Sequence, residues 1–186
     1  MARFDLQTTP LQGVVVVQRH VVGDDRGRFS RLFCAEELRP AGWTGPIAQI
    51  NHSLTAVPGT VRGMHFQRPP HAEMKLVTCI RGRVWDVAVD LRPGSPTRLR
   101  WHGVELSAEA GNALLVPEGF AHGFQVLEAD SELLYMHSAP YAPAAEGGLN
   151  PLDPALAIDW PITPDRLSEK DRSRPMVDSM MEDFYP

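Results

Sequence analysis

The 186-residue chain has two cysteines, Cys34 and Cys79. That is too few for a disulfide framework, and nothing spaced like a thiolate metal site accompanies them. They read as buried free thiols in a reducing compartment. No apolar run approaches the roughly 18 residues a membrane-crossing helix needs. The N-terminal residues lack the apolar stretch of a signal peptide. There is no basic excess either: the formal net charge is -5, which argues against a general nucleic-acid binder. Repeats, low-complexity segments and linkers are absent, and helical periodicity is weak. The expectation is a cytoplasmic protein with neither nucleic acid nor membrane as partner.

What the chain does have is punctuation. Its 15 glycines and 17 prolines are scattered, and between them lie short apolar or alternating segments, the pattern of many strands joined by turns. The candidate strands are 13–22, 28–33, 47–53, 60–66, 75–80, 84–90, 99–105, 113–116, 123–127 and 132–137. Arg81-Gly82 reads as a hairpin turn. One helical turn is expected over Cys34–Leu38, stopped near Pro40, and another short helix near Pro164–Arg172. This implies an all-β antiparallel sandwich or barrel spanning one domain, residues 1–186. The proline-rich segment from about Tyr141 is expected to wrap the barrel or close its mouth.

The densest chemistry lies between Gly59 and Val77, where Arg62, His65, His71 and Lys75 share two adjoining strands. Strict alternation puts Arg62 and His65 on opposite faces, but Gly63 between them permits a bulge that turns both inward. A cation beside an imidazole binds anions and favours a neutral, base-competent histidine. Lys75 is either a solvated strand-end lysine or a cation aimed at a developing oxyanion. Pro117-Glu118-Gly119-Phe120-Ala121-His122 is the second motif of many cupins, a turn that sends His122 into the barrel. The metal-binding first motif is broken, since Met64-His65-Phe66 has one histidine. A site built on His65, His71 and His122 is the alternative for a metal-dependent cupin. Tyr135, in an apolar strand, is core or a general acid. Of the late carboxylates Asp159, Asp165, Glu169 and Asp171, one gains meaning if the tail returns to the pocket and orients His65.

These motifs together resemble the dTDP-4-dehydrorhamnose 3,5-epimerase family. The likeness runs from about Asp24 to Arg172. It is carried by Asp25-Arg26-Gly27, Gln49 to Ser53, Arg62 to Gln67, Lys75-Leu76-Val77, Gly82 to Asp90, Pro117 to Phe124, Tyr135, Tyr141-Ala142-Pro143, Ile158 to Pro161 and Leu167 to Asp171. The resemblance implies a cupin-type double-stranded β-helix, or jelly roll. It implies a homodimer that exchanges N-terminal strands, a nucleotide-linked 4-keto-6-deoxy sugar as substrate, and no cofactor or metal. By the same resemblance His65 is the base, Asp171 its dyad carboxylate, Tyr135 the acid and Lys75 the enolate stabiliser. Arg26, Gln49, Asn51, Arg62, His122, Tyr141, Glu146 and Lys170 are binding positions. The chain departs from the family's usual pattern at Gly27-Arg28-Phe29-Ser30-Arg31 and at Glu146-Gly147-Gly148. An epimerase inverting one centre, C3 or C5, carries nearly the same residues and stands as an alternative.

Overall fold

The computed structural model describes residues 2–177. One antiparallel sheet has six strands, in the order β1 (Phe4–Thr8), β2 (Val15–Arg19), β10 (Asn112–Val116), β7 (Lys75–Arg81), β12 (Ser131–His137) and β5 (Gln49–Thr55). A second has five, in the order β13 (Glu146–Gly148), β6 (Val61–Gln67), β11 (Phe120–Val126), β8 (Arg83–Asp90) and β9 (Trp101–Ser107). Strands far apart in sequence, such as β7 and β10, lie side by side. The result is the cupin-type jelly roll that the motifs anticipate. A separate hairpin, β3 (Val22–Asp24) and β4 (Gly27–Phe29), stands outside both sheets.

Several strands are buried along their whole length, notably β10 and β11, because both faces of each sheet are covered. Between the sheets, Val77, Cys79, Leu114, Val116 and Leu133 of the larger pack against Val84, Leu106, Phe120, Phe124 and Val126 of the smaller. The outer face of the larger sheet lays Val15, Val17, Leu76, Leu115 and Met136 against Leu38 and Trp43. The outer face of the smaller lays Met64, Phe66, Val87 and Val89 against Leu149, Leu156 and Val177. The segment after Tyr141 thus wraps the barrel as far as it is described; its part beyond residue 177 lies outside the described residues.

Three strands escape the sequence pattern, and of β3 only Val22 falls within an expected strand. Strand β1 is mostly polar and half-exposed, and β13 contains two glycines and pairs with β6 through its backbone. The helical turn α1 (Ala35–Leu38) does not stop at Pro40. A 3-10 turn, Arg39–Ala41, continues it with Pro40 among its first residues, where a missing N–H costs nothing. The late helix α2 is one turn, Glu169–Arg172. Among the described residues no helix is long and apolar enough to cross a membrane, and Cys34 and Cys79 are free.

The inner faces divide into an apolar and a polar end. Antiparallel register sets His137 opposite Lys75, Tyr135 opposite Val77 and Leu133 opposite Cys79. With a period of two, Lys75-Val77-Cys79 and His137-Tyr135-Leu133 each run from polar to apolar along one face. On β11 the run His122-Phe124-Val126 does the same. The apolar ends meet as core, and the polar ends surround a cavity.

Candidate active site

The cavity has a volume of about 830 Å³ and lies between the polar ends of the two sheets. Strand β6 supplies Arg62 and His65. In the β6–β11 pairing His65 faces His122 and Arg62 faces Phe124, so three steps of β6 match two of β11. That bulge turns both side chains onto the cavity wall. Its pivot must be glycine. Gly63 has φ +140°, and a Cβ there would sit 2.6 Å from the Gly123 Cα.

His65 donates from Nε2 to Asp171 Oδ1 at 2.6 Å. The Asp171 side chain is buried, whereas the His65 ring remains 38% exposed. Asp171 reaches it from α2, whose N-cap Ser168 accepts the Asp171 backbone N–H at 3.0 Å. Burial pushes the Asp171 carboxyl up, but hydrogen bonding and charge from His65, with help from Ser168, outweigh that and hold it below the usual carboxylate range. A His65 tautomer with the proton on Nε2 keeps the Nδ1 lone pair free. This is the arrangement a histidine needs to act as a base with an orienting carboxylate.

Tyr135 sits on β12 of the larger sheet, so it approaches the cavity from the wall opposite β6. Its hydroxyl is 3.0 Å from Ser53 Oγ. Burial raises its pKa strongly, which keeps the phenol protonated. Its ring lies edge-on to His122, with centroids 6.3 Å apart, and stacks on His137 at 6.2 Å. His122 in turn bonds Asp86 Oδ1 on β8 at 2.8 Å, and Asp86 is fully buried. Lys75 Nζ contacts Glu73 Oε1 at 3.2 Å and the His65 carbonyl at 3.2 Å. Glu73 Oε2 accepts from His137 Nδ1 at 2.9 Å, and the His137 Nε2 edge meets Asn51.

At the mouth, Glu146 gathers the Tyr141 hydroxyl at 2.5 Å, Lys170 at 2.7 Å, and Arg174. Burial pushes the Glu146 carboxyl up, but its hydrogen bonds and these cations outweigh that and bring it to about 2. Arg62 donates from Nε to Thr55 Oγ1 at 3.0 Å.

Of the residues singled out from sequence, His65, Tyr135, Asp171, Lys75, Asn51, Arg62, His122, Tyr141, Glu146 and Lys170 all line this cavity. Gln49 stands just behind it, accepting the Tyr141 backbone N–H at 2.8 Å. Arg26 does not join them. It lies at the tip of the β3–β4 hairpin, exposed and paired with Asp24, because that hairpin projects from the barrel instead of folding over it. His71 is exposed and outside the cavity lining, so it does not assemble with His65 and His122. Among the described residues no three His, Cys, Asp or Glu side chains cluster as a metal site.

Asp86, Glu73, His137, Ser53 and Arg174 were not singled out. Asp86 was legible as an acid in an otherwise apolar run, Val84 to Val89. The partnership of Glu73 and His137 depends on cross-strand register and left no local trace.

Residues 8–179 match the family model described as dTDP-4-dehydrorhamnose 3,5-epimerase. The chain is 46% identical over 172 residues to the dTDP-4-dehydrorhamnose 3,5-epimerase of Sinorhizobium fredii, covering 92% of this chain and 88% of that one. It is 40% identical over 168 residues to a dTDP-4-dehydrorhamnose 3-epimerase of Streptomyces niveus, covering 90% and 81%. Among solved structures it is similar to the dTDP-6-deoxy-D-glucose-3,5-epimerase of Legionella pneumophila in complex with dTDP-4-keto-L-rhamnose. There the TM-score is 0.89 and the identity 37%, covering 94% and 93%.

Proposed function

Because this chain belongs to the dTDP-4-dehydrorhamnose 3,5-epimerase family, we propose that it epimerises a dTDP-linked 4-keto-6-deoxyhexose by proton transfer. The observation that carries this reading is that His65 and Tyr135 line facing walls of one cavity, as a base and an acid would have to. His65, backed by Asp171, stands on the smaller sheet, and Tyr135 stands on the larger. Inversion of a carbon needs a proton removed from one face and returned to the other.

The 4-keto group acidifies the C–H bonds at C3 and C5. His65 takes one of these protons at Nδ1, and the resulting imidazolium is stabilised by Asp171. The electrons pass to O4 as an enolate. Lys75 supplies positive charge and an N–H donor to that oxygen, and His122 lines the cavity with it. Tyr135 delivers its phenolic proton to the opposite face of the carbon. Arg62 and Lys170 supply cations for the diphosphate. Every step uses side chains of this chain, without metal or cofactor.

The protein acts as a homodimer in the cytoplasm. Supporting the dimer, Phe29 on the β3–β4 hairpin is 65% exposed, and Ile50 and Leu54 on the edge strand β5 are 57% and 49% exposed. Exchange of the hairpin between copies gives Arg26 a cavity to serve.

The test is NMR of dTDP-, CDP- and GDP-linked 4-keto-6-deoxyglucose in D2O with the pure protein. The expected result is deuterium incorporation at C3, C5 or both, fastest with the dTDP sugar, with formation of the inverted product. Absence of exchange on all three would overturn the reading. Deuterium at C3 alone would assign the single-centre reaction, which the similarity to a 3-epimerase favours as the second reading.

A further inference from the structure

Lys75 carries the charge proposed to meet O4, yet a lysine ammonium rides on a flexible four-carbon stem. Its residue is only 7% exposed, and a buried ammonium without a counter-charge is costly. Glu73 provides that counter-charge. It lies two residues before Lys75, in the segment that leads into β7. One carboxylate oxygen takes Lys75 Nζ at 3.2 Å, and the other takes His137 Nδ1 at 2.9 Å. His137 stands directly opposite Lys75 across the β7–β12 pairing, so a single carboxylate reaches both.

The donor inventory then fixes the geometry. The ammonium has three N–H groups. One goes to Glu73 and one to the His65 carbonyl, which leaves the third for a ligand in the cavity. A carboxylate gripped on one oxygen only would be free to swing. His137 removes that freedom, and its ring also packs on Tyr135. Both the Glu73 and the His137 side chains are more than nine-tenths buried.

We propose that Glu73 and His137 form a positioning pair that aims the Lys75 ammonium at the enolate oxygen. Neither residue touches the reacting atoms; both act through Lys75. This assignment rests on the epimerase reading and adds two residues to it.

The test is steady-state epimerisation of dTDP-4-keto-6-deoxyglucose with the full chain, alongside dTDP binding and thermal melting. Lys75→Met lowers kcat by roughly 100- to 1000-fold, as for loss of one oxyanion donor. Glu73→Gln lowers kcat by roughly 10- to 100-fold, with KM and the dTDP Kd within about threefold. His137→Leu loses about tenfold, and His137→Gln, which keeps an N–H for Glu73, recovers most of it. The deciding result is the Glu73→Gln/Lys75→Met double variant, which is no slower than Lys75→Met alone to within about twofold. Losses that multiply would assign Glu73 a structural role and overturn the proposal, as would Glu73→Gln with wild-type kcat. If Glu73→Gln does not fold, His137→Leu in the Lys75→Met background carries the same test. A wild-type protein that exchanges no deuterium overturns the epimerase reading and this assignment with it. Wild-type exchange with multiplying losses overturns only this one.

Discussion

Replacing Asp171 with asparagine isolates what the proposed dyad carboxylate does for His65. The shape is kept and the charge is removed. In the folded protein the Asp171 side chain is 5% exposed and accepts from His65 Nε2 at 2.6 Å. When His65 takes a proton, that contact becomes a charge-assisted hydrogen bond, worth about 1.5–3 kcal/mol. At about 1.36 kcal/mol per tenfold in rate, the loss is roughly 10- to 150-fold in kcat. The amide can also turn its NH2 toward Nε2, which forces the ring proton onto Nδ1 and occupies the basic nitrogen. That places the expected loss near the upper end. KM should change little, since Asp171 is partnered by His65 and Ser168 and not by the sugar. The assay is deuterium incorporation from D2O at saturating dTDP-4-keto-6-deoxyglucose, followed by NMR, with a melting curve to confirm the fold. A kcat within about twofold of wild type, in a protein that melts normally, would refute the dyad.

Tyr135→Phe removes the proposed acid and leaves the proposed base: deuterium should still enter the sugar from the His65 face, while the inverted product falls by roughly 100-fold or more, both read in one NMR time course. Gly63→Ala introduces a Cβ 2.6 Å from the Gly123 backbone at a φ of +140°, so a melting curve should show a loss of at least about 2 kcal/mol, and kcat should fall with it because the same bulge aims Arg62 and His65. Asp90 is fully buried at the far end of β8. There burial pushes its carboxyl up, but Arg92, Ser95 and Thr97 outweigh it and bring it to about 2. Its folded pKa lies below the unfolded one, so its contribution of about 2 kcal/mol is complete above roughly pH 5 and is lost as pH falls toward 2. Asp90→Asn should therefore melt lower than wild type at pH 7, with the gap closing as the pH is lowered, and a pH-independent gap would contradict the assignment.

The sequence disclosed residues whose role is announced by their immediate neighbours. Gly63 between Arg62 and His65 signalled a bulge, and the register shift against β11 is that bulge. Pro117-Glu118-Gly119 signalled a turn before a barrel histidine, and Gly119 adopts φ +85° there. The His65–Asp171 contact joins residues far apart in the chain and was reached through the resemblance alone, since Leu167 to Asp171 reads by itself as a charged surface turn. Partnerships set by strand register were not legible. Glu73 reads as an ordinary loop acid until β7 and β12 align and bring His137 opposite Lys75. Arg26 illustrates the converse: its local motif is intact, but the hairpin carrying it stands away from this chain's cavity. Strand β13 left no apolar signal because it pairs through backbone groups that every sequence possesses.

The most direct test of proton transfer by His65 is deuterium incorporation into dTDP-4-keto-6-deoxyglucose by wild-type protein and by His65→Ala, with dTDP affinity measured on both. The expected result is rapid exchange with wild type, loss of exchange by roughly 1000-fold or more in the variant, and similar nucleotide affinity in the two. Exchange by His65→Ala at the wild-type rate, or none by the wild type, would contradict it.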